Sequence, residues 1–424
     1  MEAAPWCEEQ LTAITYSGAP PMSSPDDMLR EAVAAYQAGR LAEAGVGYQR
    51  VLRAQPSNHL ALYGLALLSF QAGAKDETID YVVRSLKFQP NVGPTWRWLG
   101  TLYLETGRPL EGKAAFKRVT ELSPHSCEAW YDLAACVQRE GDLDTAVKLL
   151  RRAVACPQPL SRAFESLANL LCRQGRVAQA AQTVADWLKR EPANPIARHL
   201  AAALFQHSSP ARASDDYVQA HFDAFADDFD SVLKTLHYQG PQLVATALQA
   251  ASGGAAMPAF PVLLDAGCGT GLCGPLVRER CGRLVGVDLS AKMLYHAQAR
   301  GGYDELAQAE LSAFMQSRPQ AFDAIICADT LIYFGELTAP LVAAHTALRA
   351  GGPLVFTVEA LPPSEPAELR LGVSGRYQHS EAYLRRVLGA SGFTVEALVS
   401  QSARQDVGRD VPGFTVVARP ARAD

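Results

Sequence analysis

The stretch VLLDAGCGTGLCG, Val262–Gly274, is an apolar run that stops at an acid and continues with glycines at alternate positions. The run predicts a strand over 262–266. The glycines predict a loop whose backbone a ligand approaches closely. A phosphate loop needs a lysine after its second glycine, but Gly269-x4-Gly274 is followed by Pro275-Leu276, which excludes it. Gly269-x-Gly271-x2-Gly274 fits the dinucleotide pattern, yet that pattern begins directly behind its strand. Here Asp265 closes the strand, and Gly267 is the first usable glycine. A pyrophosphate disfavours a carboxylate at that place. A cationic ligand favours one.

The next strand, RLVGVDLS, ends in Asp288, 23 residues past Asp265. An acid there accepts hydrogen bonds from ribose hydroxyls, which both cofactor classes carry. The continuation Asp288-Leu-Ser290-x2-Met293-Leu294 separates them. Together with Asp265-x-Gly267-x-Gly269-x-Gly271 it resembles class I S-adenosylmethionine-dependent methyltransferases, and the resemblance covers residues 214–419. It implies an α/β Rossmann-like domain that binds S-adenosylmethionine and releases S-adenosylhomocysteine. In that frame Asp265 suits the methionine part, Gly267, Gly269 and Gly271 let the backbone approach the cofactor with Cys268 beside it, and Asp288 meets the ribose. Ser290 caps the next helix, while Leu289 and Met293 pack near the adenine. Glu310 and Leu311, in ELAQAELSAF, stand where an acid meets the adenine amino group. FDAIICADTLIYFGEL, residues 322–337, resembles motif IV and places Asp329, Leu331 and Tyr333 near the cofactor sulfur and the acceptor. The asparagine-proline-proline-aromatic motif of amide methylation is absent, so oxygen, carboxyl and amine acceptors stay open. Cys268 and Cys273 fall within a motif that needs no metal, and none is expected.

Two further segments read as pieces of the acceptor site. Ser214 N-caps an acidic amphipathic stretch running to Tyr238. In the family such helices fold over the cofactor, and Tyr217, His221, Phe222, Phe225 and Phe229 are candidates to cover the sulfonium by cation–π contact. A plain core face for the phenylalanines is the alternative. SGRYQHSEAYL, Ser374–Leu384, predicts a loop followed by a helix capped by Ser380. Arg376 suits an acceptor carboxylate. His379 suits a general base near neutral pH. Tyr333, Arg376 and His379 are therefore the catalytic candidates.

The first half of the chain is different. Gly39, Gly73, Gly107, Gly141 and Gly175 recur every 34 residues, and Pro56, Pro90, Pro124 and Pro192 each follow a glycine by 17. Ala32, Ala66, Gly100, Ala134 and Ala168 stand seven residues before the glycines. The third unit, W96-x2-L99-G100-x2-Y103 with Phe116 and Pro124, resembles the tetratricopeptide repeat. Five copies over 25–194 and a capping helix predict an all-α solenoid over 25–207, preceded by a tail over 1–24. The α/β methyltransferase domain follows over 208–424, with the boundary near Ser208. Each glycine ends a first helix in a left-handed turn, and each proline stops a second one. The resemblance implies a groove that binds a peptide or protein, lined by Tyr36, Tyr63, Phe70, Arg97, Tyr131, Arg139, Asn169 and Arg173. A packing role for Tyr63 and Phe70 is the alternative.

A net charge of −5 gives no bulk case for nucleic acid or an anionic membrane as partner. The N-terminus MEAAPWCEEQ lacks the features of a secretory signal. No apolar run reaches the roughly 20 residues of a membrane span. Nine cysteines, none in a CxxC pair, read as reduced thiols of a cytoplasmic protein. The whole chain resembles the bacterial group of methyltransferases that carry tetratricopeptide repeats. Its expected function is transfer of the methyl group to an oxygen or nitrogen nucleophile of a peptide or protein recruited by the repeats. The alternative is a small-metabolite methyltransferase whose repeats dock a pathway partner.

Overall fold

The computed structural model describes residues 24–205, 210–254, 258–406 and 408–421. The expected tail (Ser24 apart) and the expected boundary near Ser208 lie outside the described residues. Two compact units emerge, Met1–Leu170 and Leu171–Asp424.

The first unit is helical. Its elements are α1 (Pro25–Gln37), α2 (Leu41–Ala54), α3 (His59–Gln71), α4 (Lys75–Phe88), α5 (Gly93–Glu105), α6 (Pro109–Leu122), α7 (Cys127–Arg139), α8 (Leu143–Ala155) and the first turns of α9 (Ser161–Arg173). The periodic glycines have φ between 72° and 86°, the left-handed region that a side chain resists. At the end of α1 the Gly39 N–H donates to Tyr36 O and the Arg40 N–H to Ala35 O, so two terminal carbonyls are satisfied. A Cβ at Gly100 would press into the Phe116 ring, which explains a small residue there. Of the expected groove residues, Tyr63 is 2% exposed and meets Trp98 edge to face, which is the packing role. Arg97 pairs with Asp132 at 2.5 Å, and Arg139 is exposed.

The second unit takes in the end of α9, α10 (Val177–Arg190) and α11 (Pro195–Phe205), and then the α/β fold. That fold comprises α12 (Asp215–Phe225), α13 (Phe229–Thr235), α14 (Gly240–Ala251), β1 (Phe260–Ala266), α15 (Gly274–Val277), β2 (Cys281–Asp288), α16 (Ala291–Arg300), β3 (Glu305–Gln308) and α17 (Leu311–Gln316). It continues with β4 (Ala324–Cys327), α18 (Thr338–Ala347), β5 (Leu354–Ala360), β6 (Leu369–Leu371), β7 (Tyr377–His379), α19 (Glu381–Ala390), β8 (Phe393–Asp406) and β9 (Arg409–Pro420).

Strands β3-β2-β1-β4-β5 are parallel, and β9 adds antiparallel to β5 with β8 outside it. The central strands are buried on both faces, which is why they read as near-continuous apolar runs. Their residues alternate between two cores. Leu264, Ala266, Val285, Val287, Ile325 and Phe356 face the α17–α19 side. Leu263, Leu284, Ala324, Ile326 and Val355 face Val244 and Leu248 of α14. Each such buried leucine or valine contributes about 1.5–3 kcal/mol. The chain leaves β1 toward β2 and returns to β4 on the other side, so a switch point opens at the carboxyl ends of β1 and β4.

The structure differs from the sequence expectation in two places. The segment read as an acceptor loop supplies β7, which forms a short hairpin with the preceding β6 and pairs with the end of β5. Where the sequence pattern predicts a strand over 393–399 only, β8 runs on to Asp406.

Candidate active site

The glycine loop is laid across the end of β2. The N–H groups of Gly267 and Cys268 donate to Val287 O at 2.8 and 3.0 Å. A Cβ on Gly267 would collide with the Thr330 side chain behind it. Gly269, at φ 53°, is different: a Cβ there would meet nothing within 4 Å, so its backbone faces open space. The Gly269 N–H donates to Asp288 Oδ2 at 2.9 Å, and the Ser290 N–H donates to Oδ1 at 2.9 Å. Burial pushes the Asp288 pKa up, and these backbone donors work against it. Ser290 caps α16 as expected, its hydroxyl accepting from Met293 N.

Asp265 is 1% exposed. Tyr303 donates to its Oδ2 at 2.6 Å, and its Oδ1 has no hydrogen-bond partner. Burial pushes its pKa up to about 7, the Tyr303 bond opposes this, and Asp288 adds to it. A buried acceptor left unmade costs about 1–3 kcal/mol. A cationic donor brought to Oδ1 answers that cost, so the site fits the ammonium of S-adenosylmethionine. Tyr303 was missed by the sequence reading; it lies in no motif.

Several expected cofactor residues take other positions. Met293 is 1% exposed, so its side chain packs inward and presents no surface to an adenine. Leu311 and Leu331 join the core, which leaves only their backbone for a cofactor. The Cys268 thiol lies under Gly286, with burial pushing its pKa well up, and so stays protonated. Glu310 caps α17 by accepting from Ala313 N at 2.7 Å, and its other oxygen is 3.8 Å from Arg212. Leu289 remains half-buried beside the Asp288 carboxylate.

Helices α12 and α13 are pinned to the cofactor loops by aspartates. Ser290 donates to Asp223 at 2.5 Å and Thr270 to Asp230 at 2.6 Å. Arg300 pairs with Asp230 while donating to Thr270 O at 2.8 Å. Phe222 stands edge-on to Tyr333 at 5.4 Å and stays half-buried, a fit for a ring at the cleft. Tyr217 does not fit that role. It is 4% exposed and stacks on His199 at 3.9 Å and on His221 at 5.6 Å, which leaves little ring to cover a sulfonium.

The residues expected on the acceptor side lie near the ends of β4 and β5. Asp329 holds φ 52°, uncommon for a side chain outside glycine, and exchanges bonds with Thr357: its N–H donates to Oγ1 at 2.8 Å and its Oδ1 accepts at 2.7 Å. Arg404, from the unexpected extension of β8, is 6% exposed and pairs with Asp329 at 3.1 Å and with Glu359. Arg376 interacts with Tyr333, Glu359 and Asp329. Burial opposes its charge, but these partners outweigh burial and keep the guanidinium firmly ionised.

His379 is not the expected base. It is fully buried in β7, with Nε2 3.0 Å from Gly335 O and its ring stacked on Tyr383. Burial lowers its pKa to about 4, so near neutral pH the imidazole is neutral, a weak base sealed from solvent whose Nε2–H is spent on the Gly335 carbonyl. Arg173, expected in the groove, pairs instead with Asp406 at 2.9 Å.

Among the described residues no helix is long and apolar enough to cross a membrane. No cluster of His, Cys, Asp and Glu among them suits a metal.

Residues 264–356 match the family model described as a methyltransferase domain, and residues 29–91 and 99–159 match the tetratricopeptide repeat. The magnesium-protoporphyrin O-methyltransferase of Synechocystis sp. is 31% identical over 155 residues, covering 34% of this chain and 67% of that protein. The ubiquinone biosynthesis O-methyltransferase of Serratia proteamaculans is 26% identical over 160 residues, covering 36% of this chain and 64% of that protein. This chain thus spans about two thirds of the length of these curated relatives. The crystal structure of magnesium protoporphyrin IX methyltransferase from Synechocystis with bound S-adenosylhomocysteine aligns with 49% of this chain and 100% of that one, at 20% identity and a TM-score of 0.39. The chain belongs to the class I S-adenosylmethionine-dependent methyltransferases and joins tetratricopeptide repeats to the catalytic domain.

Proposed function

We propose that the protein transfers the methyl group of S-adenosylmethionine to a carboxylate oxygen of a peptide or protein acceptor recruited by its repeats. The observation that carries this reading is the Arg376 guanidinium, hydrogen-bonded to Tyr333 and placed just before β7 where that strand meets the end of β5. A guanidinium takes a carboxylate in a two-point geometry. A carboxylate is already anionic at neutral pH and needs no base, in keeping with a buried His379. The names of the relatives, both O-methyltransferases, favour oxygen over nitrogen.

When bound, S-adenosylmethionine supplies an electrophilic methyl group on its sulfonium. Asp265 Oδ1 receives the ammonium, and Asp288 receives the ribose hydroxyls. Arg376 and Tyr333 orient the acceptor carboxylate, and Phe222 with the aspartate-pinned helices keeps water out.

A second reading is a small-molecule carboxylate as acceptor, with the repeats docking a partner protein; the small-molecule names of the relatives favour it. Tritiated S-adenosylmethionine, the full chain and an array of peptides rich in Asp, Glu and free C-termini distinguish the two, with magnesium protoporphyrin run alongside. Label on peptide that leaves as methanol in mild base supports the main reading. Such label on the porphyrin alone supports the second. Base-stable label rules out a carboxylate acceptor.

A further inference from the structure

The Arg376 side chain hydrogen-bonds Tyr333, and the Glu359 and Asp329 carboxylates favour its charge from further off. Its backbone end is held from the opposite direction. The preceding residue, Gly375, adopts φ 77°, and its carbonyl oxygen is 2.8 Å from His199 Nε2. A carbonyl only accepts, so Nε2 carries the proton and donates. His199 belongs to α11, the helix that follows the fifth repeat, and is 5% exposed. Its ring stacks on Tyr217 of α12 at 3.9 Å, with 22° between the planes. A Cβ on Gly375 would stand 3.3 Å from the Tyr217 hydroxyl and 3.4 Å from the His199 ring. The backbone of this turn therefore fits closely against both rings.

The turn has its own bonds, Gly375 N–H to Gly372 O at 2.9 Å and Gly372 N–H to Arg376 O at 2.8 Å. These close the turn on itself but do not fix its place. That place is fixed by His199 and by Tyr377, whose hydroxyl donates to Pro210 O at 2.6 Å. The same entry segment reaches the cleft directly, because the Ala213 N–H donates to Tyr333 O at 2.8 Å and the Gly335 N–H to Ala211 O at 2.9 Å. Both cleft residues assigned to the acceptor are thus anchored to the chain that leads from α11 into α12.

We propose that His199 is a positioning residue for methyl transfer: through Gly375 it sets where the Arg376 guanidinium stands. The proposal rests on the acceptor reading above only for its consequence in turnover. A catalytic domain cut free of α11 would lack this support for the turn that carries Arg376.

The test uses the full chain with His199→Phe, which keeps a stacking ring and loses the donor, and His199→Gln, which keeps a donor. Phenylglyoxal, an arginine-directed reagent, is the probe, and its rate at Arg376 is followed by peptide mass spectrometry. Loss of the single bond should speed modification of Arg376 about tenfold in His199→Phe. His199→Gln should return it close to the wild-type rate, with S-adenosylmethionine affinity unchanged in both. An unchanged rate in His199→Phe overturns the proposal. So does a loss of cofactor affinity in step with the rate, or a failure of Gln to restore it, since either makes His199 a packing residue only. Arg376→Lys separates the two claims: unchanged methyl transfer there sinks the carboxylate reading and leaves the His199–Arg376 coupling standing.

Discussion

Tyr303 donates to one oxygen of Asp265 at 2.6 Å, and the other oxygen is buried without a partner. The tyrosine holds the carboxylate in one orientation, and Oδ1 is the atom proposed to receive the cofactor ammonium. Burial meanwhile raises the pKa from 3.8 to about 7. Without cofactor, the native state binds an extra proton between these values, so stability falls as pH rises through about 7. Cofactor binding has the opposite dependence, because the ammonium needs the ionised carboxylate. S-adenosylmethionine affinity should rise between pH 5.5 and 7 and level off above, at up to about tenfold per unit. Asp265→Asn should bind weakly and show no such slope. Calorimetry in two buffers of different ionisation enthalpy should also find proton release near pH 6.5 in the wild type and none in the variant.

Arg404 balances two carboxylates, Asp329 and Glu359, in a place nearly closed to water. Removing one partner of such a group leaves buried charge uncompensated, at a cost of about 3–5 kcal/mol. Arg404→Met should lower the melting temperature accordingly. Arg404→Met combined with Glu359→Gln should recover part of the loss, which differential scanning calorimetry reads directly. Equal melting of Arg404→Met and wild type would mean that the charge cluster is not buried as described.

His379 should titrate far below the neutral range. Its folded pKa of about 4 lies under the ordinary 6.5, so the unfolded chain binds the extra proton between them. The stability from keeping His379 neutral is present above about pH 6.5 and is lost as pH falls through about 4. Its imidazole NMR signals should stay flat from pH 8 to 5. A midpoint near 6.5 would restore the general-base role that the structure removes.

The aspartate pins on α12 and α13 should govern how long the cofactor stays. Asp230 receives Thr270 from the glycine loop and Arg300 from α16. Losing one charge-assisted bond costs about 1.5–3 kcal/mol, so Asp230→Ala should speed cofactor release at least tenfold. Stopped-flow displacement by S-adenosylhomocysteine measures this. Release rates equal in both proteins would show that these helices do not gate the site.

The parts legible in the sequence are those written in local spacing. Glycines at a fixed period fixed the repeat helices, and Asp265, Gly267, Gly269 and Asp288 lie within 24 consecutive residues that also define β1 and β2. The parts that were not legible depend on long-range closure. Tyr303 meets Asp265 across 38 residues, and Arg404 meets Asp329 across 75. No spacing rule announces such partners. Arg404 lies in the polar run Ser400–Gln405, past the apolar part of the strand, so nothing local announces that it is buried. His379 misled for a related reason. A histidine in SGRYQHS looks solvated until β7 pairs with β5 and buries it. Met293 and Tyr217 occupy the expected elements but turn toward the core, which the pattern of residue types alone does not reveal.

The measurement that tests the central claim most directly is calorimetric titration of S-adenosylmethionine into the full chain and its Asp288→Ala variant. Asp288 holds the backbone at Gly269 and Ser290 and is the acceptor proposed for the ribose hydroxyls, so its loss should weaken binding by about 2–4 kcal/mol, thirtyfold or more. Equal affinity in the two proteins would contradict the placing of the cofactor between Asp265 and Asp288.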